Sequence, residues 1–420
     1  MNGNKPVSSY KRIIILAGSA LILTAVSAPG SVVAGRLDTR ISSGYDSFID
    51  RYTVLEDDTT ESFSEYYINI TNKLAGGIKG INSTFRNSLK FGNQTLDERL
   101  RLGLEFGSLS SIEARLETDF FLKHFREGSD YVYSNNYRQI NTGLKLSRRI
   151  SENLRIRSRT RFEVIDYDDH TSFDYDYNYI DTGIECDAGS ILGNTFRAAA
   201  AFGVCESPDT TELNYHRSII QASAYLGSWA GSGLDITVSA DRRSYQGDSR
   251  PSSWLILSYS NISVKKTEEI EFGFTLDGES YLYDSTSQLY FDTYFIRGGV
   301  EISLPLREDS ELSFQPRYAR MLCPDLEDER YSEYSMAVSY NFMHGIKYWF
   351  TLSYEPGYRR YLVEDIYSNF YFNRVSLMGS FTIYRNISAD LFLMHDPEKH
   401  SRRRDDFSIT LISATISLSF

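Results

Sequence analysis

The chain has 420 residues, a formal net charge of −12, 31 Tyr among its 14% aromatic residues, and three Cys. Acidity of this size disfavours nucleic acid as a partner, and an odd number of cysteines excludes a disulfide framework as the source of stability. Beyond residue 26 no long unbroken apolar run occurs, which excludes helical membrane spans.

At the N-terminus Lys5, Lys11 and Arg12 precede an apolar run from Ile13 to Val26, with no acid among them. That run is too short for a comfortable membrane span and suits the core of a secretory signal peptide. Val32-Val33-Ala34 offers small residues for cleavage before Gly35. The expected division is a signal peptide over 1–34 and one β-barrel domain over 35–420, outside the cytoplasm. Removing three cations and no acid takes the formal charge from −12 to −15. No plug domain of the kind seen in energised transporters is expected before the first strand.

A weakly patterned first strand runs over 37–52, followed by an acidic link over 56–61 and strands over 63–74 and 81–91. Leu100, Leu102, Leu104 and Phe106 then alternate with Arg99, Arg101 and Glu105, a period of two. After a tight turn at 107–111, Ile112, Ala114, Leu116, Thr118 and Phe120 alternate with Glu113, Arg115, Glu117 and Asp119. Short turns recur at 149–153, 188–194, 229–233, 265–268, 306–310, 343–346 and 385–386. Between them stand longer polar loops at 166–174, 205–213, 245–251, 277–288, 323–332, 358–368 and 395–406. Short turns on one side and long loops on the other are expected of a transmembrane, antiparallel, up-and-down β-barrel. About 18–20 strands fit the chain, with an even number preferred.

The strand over 154–164 carries the strongest functional signal. Leu154, Ile156, Phe162 and Val164 share one parity, and Arg155, Arg157, Arg159, Arg161 and Glu163 share the other. Facing lipid near the midplane, each Arg would cost about 2–4 kcal/mol, so this parity is expected to face the interior. By the same alternation Asp181, Gly183, Glu185 and Asp187 face inward, as do Glu113, Glu117 and Asp119. Asp235, Thr237, Ser239 and Asp241 continue the hydrophilic wall, with Glu269, Glu271 and Thr275, and Glu311, Ser313, Gln315 and Arg317, further on. Opposite charges on neighbouring arcs support two readings: a pore whose side chains set ion preference, or a salt-bridge lattice that neutralises the wall.

Enzymatic and metal signals are weak. His216-Arg217-Ser218 resembles the His-x-Ser pair of the outer-membrane phospholipase family, but Ile219-Ile220 replaces that family's Ser-Asn-Gly continuation, so no catalytic residue is assigned. The other histidines lack metal-ligand spacing, and neither a metal nor a cofactor is expected. Cys205 and Cys323 fall in expected external loops where they could pair, whereas Cys186 reads as a lone thiol. The basic run His400-Ser401-Arg402-Arg403-Arg404 is a candidate contact for lipopolysaccharide phosphates.

At the C-terminus Ile412, Ala414, Ile416 and Leu418 alternate with Ser413, Thr415, Ser417 and Ser419, and the chain stops on Phe420. This stretch resembles the C-terminal assembly signal of bacterial outer-membrane β-barrels. The resemblance implies that Phe420, Leu418 and Ile416 are read by the barrel-assembly machinery and that the last strand pairs with the first. The strand–turn rhythm of residues 141–164 resembles the β-barrel porin group, some of whose members accompany exopolysaccharide export. It implies a Gram-negative outer-membrane location among lipid and lipopolysaccharide, as a monomer or a homo-oligomer, with no enzymatic activity. The leading expectation is a porin-like channel for passive diffusion of small hydrophilic solutes. The alternative is a non-conducting barrel serving as an envelope scaffold or as an accessory to exopolysaccharide export.

Overall fold

Alternation with a period of two, rather than apolar run length, shapes the whole chain. The computed structural model describes residues 33–420 apart from 55–56, 79–80, 110–111, 127–134, 170–173, 190–192, 228–231, 248, 266–269, 346 and 365. The signal-peptide segment therefore lies almost wholly outside the described residues, and the first strand begins two residues before its expected end. The first ten strands are β1 Val33–Val54, β2 Asp57–Ile78, β3 Ile81–Gly92, β4 Thr95–Leu109, β5 Ile112–Phe125, β6 Tyr137–Ser151, β7 Leu154–Tyr167, β8 Tyr177–Gly189, β9 Thr195–Glu206 and β10 Tyr215–Gly227. The second ten are β11 Ser232–Tyr245, β12 Ser253–Lys265, β13 Glu271–Tyr283, β14 Thr293–Arg307, β15 Ser310–Leu322, β16 Tyr331–His344, β17 Tyr348–Tyr361, β18 Phe370–Tyr384, β19 Ile387–His400 and β20 Phe407–Ser419.

Each strand pairs antiparallel with the next, and β20 returns to β1 in a register running from Arg40↔Ser419 to Tyr52↔Phe407. Closure removes the exposed sheet edges that would otherwise template aggregation. Phe420 belongs to the seam, its N–H donating to the Thr39 carbonyl at 2.8 Å. Tyr67 of β2 reinforces it by crossing β1 to place its hydroxyl 3.0 Å from Thr415 Oγ1 of β20. Gly44 permits that crossing, because a Cβ there would sit 2.4 Å from the Tyr67 ring.

From β6 to β17 the even-numbered positions form an apolar outer face, including Leu144, Phe162, Ile184, Ile220, Val238 and Leu276, all exposed. Outward aromatics flank this band. Tyr318 and Tyr334 pair at 5.1 Å towards the long loops, as do Tyr358 and Tyr371 at 4.6 Å. Tyr340 and Phe350 pair at 5.7 Å towards the short turns. An apolar band between two aromatic girdles is the lipid-facing surface of a transmembrane barrel. On the opposite face, side chains two strands apart converge, as on a concave wall: Arg317 of β15 reaches Glu355 of β17 at 3.1 Å, and Arg40 of β1 reaches Asp390 of β19 at 3.5 Å.

Three segments expected as loops continue as strand: 277–283 in β13, 358–361 in β17 and 395–400 in β19. Their charges misled because the inner wall accommodates charge in pairs. Asp277 accepts from Arg297 at 2.7 Å, and Glu333 from Arg359 at 2.6 Å. Residues 57–61 of the acidic link are likewise absorbed into β2, which like β1 has 22 residues and outruns β3.

Candidate functional site: the inner wall of the barrel

Along β7, Arg155, Arg157, Arg159, Arg161 and Glu163 all face inward. They lie in register with Asp187, Glu185, Gly183, Asp181 and Tyr179 of β8. Arg157 donates to Glu185 at 2.9 Å and also meets Asp187, and Arg197 of β9 donates to the same two carboxylates at 3.0 and 2.8 Å. Arg159 stands 3.8 Å from Asp181, while Arg161 pairs with Glu163 along its own strand. Two strands earlier, Asp119 takes hydrogen bonds from Arg99 and from Arg101, the latter at 2.8 Å, and Arg115 bridges Glu117 at 2.6 Å and Glu105 at 3.2 Å. The alternation thus assembles most of the expected charges into two ion-paired clusters, one on β4 and β5 and one on β7 to β9. Glu113 and Arg155 stand apart from them, with no ion-pair partner among the described residues.

Lys145 and Arg149 of β6 were not singled out by the sequence reading, although their parity marks them. Lys145 lies in register between Arg115 and Arg159, and Arg149 opposite Arg155. Cations therefore outnumber acids on this arc. It borders a cavity of about 680 Å³ lined by Arg115, Lys145, Arg155, Arg157 and Arg159 against Glu105, Glu113 and Glu185.

Chemistry changes along the barrel axis. Towards the short turns the inner wall is charged, and towards the long loops inward rings join the charge pairs. Cross-strand ring pairs face inward there: Tyr137 with Tyr167 at 5.5 Å, Tyr215 with Tyr245 at 5.4 Å, and Tyr331 with Tyr361 at 5.6 Å. Arg359 lies between two rings, 4.3 Å from Tyr331 and 5.1 Å from Phe370.

A recurring local device fixes the position of these rings. Asn136 Oδ1 accepts from the Phe125 N–H at 2.8 Å, Asp176 from Tyr167 at 2.7 Å, Asn214 from Ser207 at 2.7 Å, and Asp292 from Tyr283 at 2.8 Å. Asn369 does the same for Tyr361 at 2.7 Å and Asp406 for His400 at 2.8 Å. In each case the side chain closes a loop by satisfying the last amide of the outgoing strand, or at Ser207 the first amide beyond it. The next residue then becomes the first inward position of the returning strand, and it is aromatic in Tyr137, Tyr177, Tyr215, Phe370 and Phe407. Asn/Asp followed by Tyr/Phe, at five of the returning strands, is the sequence signal that would have revealed much of the collar.

Other expected sites are ordinary structural contacts. His216 lies 3.3 Å from Gln246 Nε2 and stacks on Phe202 at 5.9 Å. Cys186, Cys205 and Cys323 are free thiols, so Cys205 and Cys323 do not pair; Cys205 lies inside β9 and not in a loop. In the basic run, Arg402 and Arg404 approach Asp405 at 3.1 and 3.7 Å, and Lys399 pairs with Asp406 at 3.2 Å, so local acids offset much of its charge. Ser368 donates to Asp405 at 2.6 Å and lies 2.9 Å from His400 Nδ1, but it is 1% exposed and ties two loops together beyond the reach of substrate. Burial in the loop after β15 pushes the Cys323 thiol up to about 11.

No known family profile matches the chain, and no curated protein matches it in sequence. In three dimensions it is similar to the siderophore receptor PirA from Pseudomonas aeruginosa, with 10% identity, 92% of this chain and 80% of that chain covered, and a TM-score of 0.51. The ferric-catecholate import receptor Fiu from E. coli K12, in its open form, aligns at 8% identity over 90% of this chain and 81% of its own, with a TM-score of 0.55. The alcaligin outer-membrane receptor FauA from Bordetella pertussis aligns at 11% identity over 90% and 76%, with a TM-score of 0.50. The chain folds as a bacterial outer-membrane β-barrel. At such identities the likeness concerns the fold, and the inner wall has to be read from its own residues.

Proposed function

We propose that this outer-membrane barrel is a channel through which small hydrophilic solutes diffuse passively. The observation that carries the reading is a closed ring of twenty strands with a polar, charged inner wall. Among the described residues, every other regular element is a one-turn 3-10 segment in a strand-to-strand loop. Porins of about 16–18 strands hold an aqueous channel, and barrels of about 22 strands are wide enough to hold a plug. Twenty strands give a lumen in that range, too wide for side chains alone to fill.

The ion-pair lattice and the pore reading are compatible. Paired Arg and acids neutralise most of the wall, which lowers the desolvation cost of holding them there. The residue of charge that passing ions sense lies where cations meet cations, at Arg115, Lys145 and Arg159 and at Arg149 and Arg155. This arc favours anions even though the chain as a whole is acidic. Reconstitution into planar bilayers tests the proposal: steady, salt-dependent openings with a reversal potential shifted towards anions are expected. Folded barrel that never conducts would instead favour a scaffold or an accessory role in exopolysaccharide export. Phe420, hydrogen-bonded into the seam, is proposed to be read by the barrel-assembly machinery before closure; deleting it should lower outer-membrane yield without affecting synthesis.

A further inference from the structure

We propose that the inward aromatic collar at the loop end of the lumen binds a neutral carbohydrate chain. The inference rests on reading the lumen as a passage for hydrophilic solutes and names a class of solute for it. Lipid does not account for the collar, because separate outward-facing rings already supply the girdle on that side. Stacking between strands accounts for each ring pair singly, but not for their repetition at one level of the inner wall.

Tyr137, Tyr167, Tyr215, Tyr245, Tyr331 and Tyr361 are all half-buried, so each keeps part of its surface exposed. Such rings match the C–H faces of a sugar, and their hydroxyls match its edges. Two charge pairs lie beneath the collar, Arg217 with Asp241 at 2.5 Å and Arg359 with Glu333 at 2.6 Å, and the Arg243 guanidinium is held 5.6 Å from the Tyr215 ring. These pairs offer donors and acceptors to hydroxyl groups. An anionic ligand would be drawn to the opposite end, where Lys145 and Arg155 have no ion-pair partner among the described residues. A ligand that is polar, uncharged and has flat apolar faces fits this end, and carbohydrate has all three properties.

The test is calorimetric titration of the detergent-folded full chain with maltohexaose and with cellohexaose. Saturable heat with at least one hexamer is expected. Exchanging both Tyr331 and Tyr361 for Ala should weaken binding about tenfold, which equals about 1.4 kcal/mol. Exchanging both for Phe should leave most of the affinity, since the stacking faces remain. Tyr137→Leu with Tyr167→Leu gives the same readout on another ladder should the first pair fail to fold, with folding checked by gel mobility before and after heating. Absence of saturable heat with both hexamers would overturn the proposal. So would affinity unchanged by ring removal, or binding confined to an anionic oligosaccharide such as trigalacturonate. A barrel that conducts but does not bind overturns the collar alone, whereas one that binds but does not conduct overturns the passage and leaves the collar standing.

Discussion

Glu65 offers a quantitative test of how the rim of the barrel is held. Its side chain faces inward from β2 and is almost completely buried, at 1% residue exposure. It accepts from the Thr95 N–H at 3.0 Å, from Thr95 Oγ1 at 2.6 Å and from Lys90 at 2.5 Å. Glu65→Leu would leave the buried Thr95 amide unsatisfied, at about 1–3 kcal/mol. It would also leave Lys90, itself only 23% exposed, with Asp46 at 4.0 Å as its remaining carboxylate. Breaking a buried pair from one side typically costs about 3–5 kcal/mol, and the partial exposure of Lys90 places this case at about 3 kcal/mol. Glu65→Gln retains an acceptor for Thr95 and loses only the charge, so about half that loss is expected. The Glu65→Leu, Lys90→Met double variant should recover part of it by removing the stranded cation. Guanidinium unfolding of the lipid-reconstituted barrel, followed by tryptophan fluorescence, measures the series. A loss below about 1 kcal/mol for Glu65→Leu would refute the claim that this buried acid ties the rim together.

Four further outcomes follow from the same geometry. Replacing Lys145 and Arg155 by Gln should lower the anion-to-cation permeability ratio about two- to threefold at physiological salt, since a charge about 10 Å away across screened water is worth only a few tenths of a kcal/mol; reversal potentials in a salt gradient measure it. Gly44→Val should drive the Tyr67 ring off the seam, whose space a Cβ would enter at 2.4 Å, and should reduce the fraction of heat-resistant folded barrel on gels. Cys323, with its thiol pushed up to about 11, should remain unlabelled by maleimide at pH 7.5 while the protein is folded. Because the folded thiol holds its proton beyond the ordinary value of 9.0, stability should fall as pH rises from about 9 towards 11, and Cys323→Ser should lessen that slope.

Much of the fold was legible in the sequence because lipid and water enforce opposite parities on each strand. The parity of Arg155–Arg161 located the inner wall, and the alternation ending at Phe420 located the closing strand. Loop boundaries were harder. Asp277, Arg359 and Glu398 read as loop charges, yet a barrel interior accepts charge that a soluble core would reject. Glu65 gave no signal, because its partners Lys90 and Thr95 meet it only through the register of β2, β3 and the β3–β4 turn. The aromatic collar was hidden for a different reason: its rings are spread singly over the chain, and only strand closure brings them to one level.

Single-channel recording from the reconstituted barrel tests the central claim most directly. Steady openings whose conductance rises with salt, together with an anion-leaning reversal potential, are the predicted result. Folded, membrane-inserted protein that carries no current under any applied voltage would contradict it.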